Sequence, residues 1–573
     1  MTVGHVRVVA RPGPSFATHE TRPRPRGRIG GSSATLTNDQ RAKLLAHLGP
    51  NAQLLGDLPR APERPDLVVD DDAAGVDDWA QITREKRLAS VEGAFAIAGR
   101  TKQGGVWLAR DPLGHRTLYY AIVRGHLVFA SRIVALLHAF DVPRTIAERS
   151  VAAFLSYAYV PNRETMVKGV HEVLPGEIVR YDPARQHLER RTFWELPPET
   201  SLGANDAGLV TRLRSELEHT IGSVLGDDDV VCASLSGGID SSLVVAVARR
   251  LLPQERVLRT FSITFGAQHR DELAWSSLVA EHCKTDHRIV ELPADAVSAH
   301  LDDTIARMDK PNGDPLTVPN ALLFREMAEH GRVALNGEGG DPCFGGPKNL
   351  PMLLAELYGD GYEEEGAEGA RNRTYLRAHL KCFDDLQEIL RPDAYRVATT
   401  PPLEDDVATW FDDARWESLI GKLMAINVRF KGGHHILPKV DALGAPFGML
   451  PRSPLFMRRM VELAFALPST AKLRGSIEKW ALKEAVADLL PRAILDRPKS
   501  GMLVPVEGWF SGPLLPLAKQ RLLDGCLGNT GLFQRDSLEQ LLSGKVRGLR
   551  PRRGVKIWLL VTLEAHLRAL GLA

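Results

Sequence analysis

The sequence predicts two domains of different class, a strand-rich first domain and an α/β second domain on a parallel sheet, and three observations predict them. The first is the segment Val230-Val231-Cys232-Ala233-Ser234-Leu235-Ser236-Gly237-Gly238-Ile239-Asp240-Ser241-Ser242. An apolar run ends in hydroxyl residues around a Gly-Gly pair, and an apolar helix pattern, Leu243 to Leu252, follows directly, which is the order strand, phosphate loop, helix. The second is a change of period. Up to about residue 195, the stretches Val91 to Ala98, Gly105 to Arg110 and Leu118 to Ile122 alternate or run apolar between turn residues such as Asp111-Pro112-Leu113-Gly114. From Leu209 onward helical periodicity dominates, broken by strands around Val231, Phe261 and Val333. The third is length, since 573 residues exceed one ordinary core. The polar connector Pro197 to Ala207 divides the chain into domains of residues 1–195 and 208–573.

Composition narrows the class of activity. Hydrophobic content of 44% and charged content of 25% are those of a soluble globular protein. A formal net charge of +1 gives no global attraction to nucleic acid or to a membrane surface. No apolar run reaches the roughly 18 residues of a membrane helix and no signal-peptide pattern follows Met1, so the expected compartment is the cytoplasm. The five cysteines, Cys232, Cys283, Cys343, Cys382 and Cys526, have no CxxC spacing and read as isolated, reduced thiols.

The chemistry concentrates in the loop after Ser234. Gly237 and Gly238 let the backbone approach a phosphate, so that main-chain N–H groups, serine hydroxyls and a helix N-terminus face the anion together. The loop lacks the Gly-Lys-Ser/Thr ending of a Walker A motif, and Asp240 adds an acid that such a motif does not have. A carboxylate beside a phosphate points to a bridging Mg²⁺. The string Ser-Gly-Gly-Ile-Asp-Ser-Ser resembles the loop of N-type ATP-pyrophosphatases, which cleave ATP between the α and β phosphates and adenylate a substrate.

Other segments make the resemblance specific. Glu92-Gly93-Ala94-Phe95-Ala96, the run from Ala109-Arg110-Asp111-Pro112 to Tyr120, and Phe129-Ala130-Ser131 resemble the amino-terminal domain of glutamine-dependent asparagine synthetases, and Leu174-Pro175-Gly176 resembles that family's stretch before the linker. Similar segments continue in family order: Thr260 to Ile263, Asp271-Glu272, Asn336-Gly337-Glu338-Gly339-Gly340-Asp341, Phe344-Gly345-Gly346, Lys439-Val440-Asp441, and Leu490 to Arg492 through Asp496 to Met502. The resemblance implies an α+β N-terminal nucleophile hydrolase-like sandwich followed by an α/β ATP-pyrophosphatase (adenine nucleotide α-hydrolase-like) domain. It implies that Leu235, Ser236, Gly237, Gly238, Asp240, Ser241 and Ser242 cradle ATP, that Ile263, Asn336 and Gly337 lie where adenosine is held, and that Asp240 and Asp341 bind Mg²⁺. Lys499 matches a lysine near the phosphates and the reacting carbonyl, where it could stabilise an oxyanion. Glu338 matches a glutamate placed to take a proton from the amine, and Arg452 an arginine near phosphate.

The departures are equally informative. In that family a cysteine exposed by removal of the initiator methionine attacks glutamine, with its own amine as base; here position 2 is Thr2 and no cysteine precedes Cys232. The glutamine-binding segment is unrecognisable between Arg60 and Asp78, where only acids such as Asp70, Asp71 and Asp72 stand. Pro342, Leu450 and Met457 replace family acids, so the substrate side is expected to be more apolar than one built for aspartate. The expected enzyme is therefore an ATP-dependent, AMP-forming amide-bond synthetase acting on a small-molecule or peptide carboxylate and an amine, without glutamine. The amine is external, or internal as in the similar β-lactam synthetases and lasso-peptide cyclases, although Glu338 stands where the former carry tyrosine. A non-catalytic scaffold would have no need of Ser236, Asp240, Asp341 and Lys499, and a nucleic-acid-modifying enzyme fits neither the charge nor the first domain. No nucleic-acid or membrane partner is expected, and a homodimer stays open.

Overall fold

The computed structural model describes residues 6–9, 28–49, 51–55, 67–73, 76, 78–84, 86–101, 104–200, 205–269, 272–346, 367–498, 501–544 and 552–572. Thr2, Asp271, Lys499 and Ser500, singled out above, lie outside the described residues.

Among the described residues the first domain is a sandwich of two five-stranded sheets. In one, the order is β11-β10-β6-β5-β4, all antiparallel, built from β4 (Leu67–Ala73), β5 (Gly93–Arg100), β6 (Val106–Arg110), β10 (Glu177–Asp182) and β11 (His187–Thr192). In the other, β2 (Ile29–Ser32), β3 (Gln53–Leu55), β7 (Tyr119–Val123), β8 (His126–Ala130) and β9 (His171–Glu172) are ordered β3-β2-β8-β7-β9. The alternation of β10, with Glu177, Val179 and Tyr181 buried and their neighbours less so, is the period of a strand with one face inward. Ile29, Leu108, Phe129 and Val179 meet between the sheets with no exposed surface.

One strand breaks the linear division of the chain. β1 (Val6–Val9) does not join the sandwich; it pairs in parallel with β14 (Asp286–Glu291), Val6 opposite Arg288, and Arg7 reaches Glu291 at 2.7 Å. It extends the second domain's six-stranded sheet, ordered β1-β14-β13-β12-β15-β16 with β12 (Val230–Ser234), β13 (Val257–Thr264), β15 (Val333–Leu335) and β16 (Leu450–Arg452), every pair parallel. From β12 the chain lays β13 and β14 on one side and then β15 and β16 on the other. The crevice outside the carboxyl ends of β12 and β15 is therefore the switch point at which open α/β sheets bind ligands.

A buried charge cluster joins the two domains. Glu172 accepts from Arg110 at 2.5 Å, from Lys310 at 2.6 Å and meets His434 Nδ1 at 2.9 Å, all four residues buried. Arg110 also donates to the carbonyls of Arg116, Val173, Gly114 and, across the interface, Gly433. Burial pushes the His434 imidazole down to about 4 against the partly opposing charge of Glu172. Burial alone would raise the Glu172 carboxyl, but Lys310, His434 and Arg110 hold it below the ordinary range.

Both shifts have the same sign in stability. Between a folded value near 4 and an ordinary imidazole value of 6.5 the unfolded chain binds the extra proton at His434, so stability declines as pH falls through that window, and the Glu172 contribution is lost further down. Urea midpoints are expected to drop steadily from pH 7 to pH 4.5 and to do so less in His434→Gln; an unchanged midpoint across that range contradicts the assignment. Glu172→Ala, which leaves Arg110 and Lys310 buried without their carboxylate, is expected to cost roughly 3–5 kcal/mol in equilibrium unfolding.

Candidate active site

The loop after β12 is shaped by one glycine. Gly237 has φ +73°, and a Cβ there would stand 2.5 Å from Ser276 N and from Trp275 Cβ, so only glycine lets the loop lie against the helix α2 (Leu273–His282). Helix α1 (Ile239–Leu251) starts at Gly238 with no side-chain cap, leaving its first-turn N–H groups for an anion at the cleft. The hydroxyls are already ordered among themselves: Ser236 Oγ and Ser241 Oγ are 3.0 Å apart, Ser236 N donates to Ser241 Oγ at 3.1 Å, and Gly238 N to Ser236 Oγ at 3.3 Å. Arg497 braces the loop from outside, donating to the Gly237 carbonyl at 2.9 Å, pairing with Glu272 and lying 5.0 Å over the Trp275 ring.

The turn after β15 closes on this loop because it too is glycine-rich. A Cβ on Gly337 would meet Ser241 N at 2.5 Å, and one on Gly340 would meet Asp240 Oδ1 at 2.2 Å. This approach brings Asp341, in the short helix α3 (Gly340–Cys343), beside Asp240. The two carboxylates converge on one ammonium. Lys479 Nζ lies 2.8 and 2.6 Å from the two oxygens of Asp240 and 2.5 Å from Asp341 Oδ1, its side chain 1% exposed. Lys479 itself has φ 55°, left-handed and not glycine, at the start of α4 (Trp480–Ala485), the kind of backbone strain that persists where a site demands it. Sequence reasoning missed it: a single lysine ahead of an apolar helix pattern has the same signature as a solvated one.

A cleft of about 790 Å³ collects Leu235, Ser236, Gly238, Asp240, Ser241, Ile263, Asn336, Gly337, Glu338 and Asp341. Two of the expected phosphate-loop residues do not line it. Gly237 packs on α2, and Ser242 is turned into the protein, fully buried and with its hydroxyl unpaired among the described residues. Arg452 is elsewhere as well: it pairs with Asp72 of the first domain across a separate cavity of about 220 Å³, which Met457 also lines. Of the three apolar departures noted in the sequence, only Pro342 faces the cleft.

The polar groups in the cleft are unevenly satisfied. Asn336 accepts from Glu338 N at 3.0 Å, while its buried Nδ2 has no partner among the described residues. Lys439 holds Asp314 at 2.8 Å; burial would lower its pKa, but Asp314 and Glu338 outweigh this and keep it a cation. Burial would raise Asp314, yet Lys439 and His435 hold that carboxyl below its usual range. The arrangement therefore offers anion donors, two acids on one cation point, and a carboxylate in Glu338 beside a fixed positive charge.

Gly340→Ala puts a methyl group where Asp240 stands. Loss of at least about tenfold in ATP affinity is expected by calorimetric titration, and wild-type affinity would show that the two turns have room to spare.

Comparison with known proteins bears on the same two regions. The asparagine synthase family profile matches residues 212–568, and a glutamine amidotransferase domain profile matches residues 77–194. A Mycobacterium tuberculosis protein with an asparagine-synthetase name is 28% identical over 465 residues, covering 75% of this chain and 70% of its own. Asparagine synthetase [glutamine-hydrolyzing] 1 of Bacillus subtilis is 25% identical over 459 residues, 75% of this chain and 71% of its own. Amidase chry2 of Gibberella zeae is 26% identical over 533 residues, 82% and 78% of the two chains. A match that spans more than half of the chain and contains the loop after β12, both acids and Lys479 places the protein in the asparagine synthetase family of ATP-dependent carbon–nitrogen ligases.

Proposed function

We propose that this protein is an AMP-forming amide synthetase that adenylates a carboxylate and passes the acyl group to an amine without using glutamine. The observation that carries the reading is the meeting of Asp240, Asp341 and the Ser236–Ser241 loop at the switch point of the sheet. A carboxylate resists attack by an amine because its charge repels the nucleophile and oxide is a poor leaving group. Adenylation removes both obstacles: a carboxylate oxygen attacks the α phosphate, pyrophosphate leaves, and the amine then displaces AMP from the acyl carbon with loss of one proton.

The residues present suit this division of labour. Loop amides and the Ser236 and Ser241 hydroxyls bind phosphate oxygens, and the partnerless Asn336 Nδ2 with Ile263 suits the nucleoside. Asp240 and Asp341 would hold Mg²⁺, which favours one or two carboxylates with phosphate and water oxygens completing its shell; among the described residues no cluster of three or more His, Cys, Asp or Glu forms a closed protein cage. Bound there, Mg²⁺ screens the phosphate charge. Lys479 bridges the two acids and adds positive charge beside the departing pyrophosphate. Glu338 takes the proton of the incoming amine.

Several observations support independence from glutamine. An N-terminal nucleophile needs a thiol or hydroxyl and its own free amine, but β2, the first strand of the sandwich among the described residues, starts at Ile29 behind the internal stretch Arg26-Gly27-Arg28. β1 runs in the other domain's sheet. Asp70, Asp71 and Asp72 are engaged by Arg116, Trp79 and Arg452.

Asp240→Ala or Asp341→Ala is expected to abolish Mg²⁺-dependent pyrophosphate release from a protein that still unfolds cooperatively; full activity in either removes the metal assignment. Lys499→Ala is expected to lose on the order of 10²–10³-fold in product formation, as for one lost oxyanion donor. Given glutamine, with or without ATP, the enzyme should release no glutamate above background and Thr2→Ala should synthesise product at the parent rate. Thr2-dependent glutamate release would instead restore a working amidotransferase.

A further inference from the structure

We propose that Arg497 is a positioning residue that sets the direction of the Gly237–Gly238 peptide, holding its carbonyl away from the cleft so that its N–H faces the hydroxyls of the loop. The proposal rests on the reading of the loop after β12 as the site of the ATP phosphates and names the residue that keeps that loop in its binding form.

A peptide unit is planar and trans, so its carbonyl and its N–H point in opposite directions and fixing one fixes the other. Between two glycines that direction is weakly determined, because each tolerates both signs of φ and the plane can turn over with little movement of its neighbours. Gly237 has φ +73° and Gly238 φ −78°. The Gly237 carbonyl accepts from Arg497 Nη1 at 2.9 Å, whereas the Gly238 N–H, at the opposite edge of the plane, donates to Ser236 Oγ at 3.3 Å. Ser236, Gly238 and Ser241 line the cleft, and Gly237 and Arg497 do not. Reversed, the plane would aim the negative end of a carbonyl dipole at a bound anion. The next carbonyl, that of Gly238, needs no distant partner, since Ser242 N of α1 donates to it at 3.0 Å.

Arg497 is built to act by geometry rather than by charge. Its side chain is 8% exposed, and its guanidinium is paired with Glu272, itself 11% exposed, so a phosphate meets little net charge from the two. The same guanidinium lies 5.0 Å over the Trp275 ring. Trp275 and its neighbour Ser276 are the residues that a side chain on Gly237 would strike, both at 2.5 Å. The peptide is therefore clamped between the start of α2 and an arginine that the same end of α2 holds. A planar fork suits this task better than an ammonium, because it donates to a carbonyl and a carboxylate in fixed directions while lying on a ring.

The test is calorimetric titration of the full-length protein with Mg²⁺–ATP and with adenosine. Arg497→Met is expected to weaken ATP at least about tenfold and adenosine less than about twofold, a split that a general loss of structure would not give. Gly238→Ala supplies the second arm. Its Cβ would stand 3.4 Å from Ser236 Oγ, an ordinary contact, and its present φ suits alanine, but the reversed plane would carry position 238 to positive φ, which alanine resists. In the Gly238→Ala background Arg497→Met should therefore cost less than about threefold in ATP affinity. Should Arg497→Met not fold, Arg497→Lys, which keeps the cation but not the fork, carries both comparisons. Equal losses for ATP and adenosine, an unchanged ATP affinity, or a full loss that persists in the Gly238→Ala background overturns the proposal. Equal affinity of the parent protein for ATP and adenosine refutes the phosphate reading of the loop instead, before any variant is compared.

Discussion

Burying a carboxylate is unfavourable unless nearly every lone pair is answered, and Glu172 meets that condition only with groups from both domains. Arg110 comes from the sandwich, Lys310 and His434 from the α/β domain. Separating the domains would strand several charges in low dielectric at once, so the cluster acts as an orientation lock more than as a source of net stability. It also explains the run Ala109 to Arg116. Asp111 gathers the backbone N–H groups of Leu113, Gly114, His115 and Arg116, while Arg110 reaches Glu172 and Arg116 reaches Asp441. A segment that first stands out as a family likeness is, physically, the hinge pin between the two halves.

With the orientation set, the chemistry depends on how closely two turns can approach. The parallel sheet directs the loops after β12 and β15 to the same crevice, and glycines at 337 and 340 remove the side chains that would keep them apart. What results is an electrostatic problem, two acids side by side, and Lys479 answers it from a third segment, at the cost of a left-handed backbone. The strain and the convergence of charge occur at one point, as expected where a protein holds a site open for a ligand.

How much of this is legible in the sequence follows from the range of each interaction. The loop after β12 is local, and its strand-loop-helix order can be read from spacing, whereas its pairing with Asp341 is implied only by the family resemblance. Ser242 and Gly237 fall inside the same string but face away, because a helix and a turn rotate neighbours out of the cleft and linear proximity carries no direction. Lys479 and Arg497 act across 239 and 260 residues, and a lone basic residue has no periodicity to reveal its partner. Arg452 illustrates the converse: its place before Ser453-Pro454 suggests phosphate, whereas the edge strand β16 turns it toward Asp72. Likewise, the pairing of β1 with β14 joins the chain's first strand to the second domain, which no local pattern announces.

The first domain therefore has a physical role that does not require hydrolysis of glutamine. Its sandwich retains the core and the Arg110–Asp111 loop that dock it, and the acids of β4 are spent on contacts with Arg116, Trp79 and Arg452. The same docking packs the end of the helix Glu148–Tyr157 into the core beside the cleft, with Tyr157 and Tyr159 buried there. A domain docked in this way is constrained by the geometry of its interface with the second. That constraint accounts for a sandwich that keeps its packing: Arg110 and Arg116, which cross the interface, are held in place by its strands.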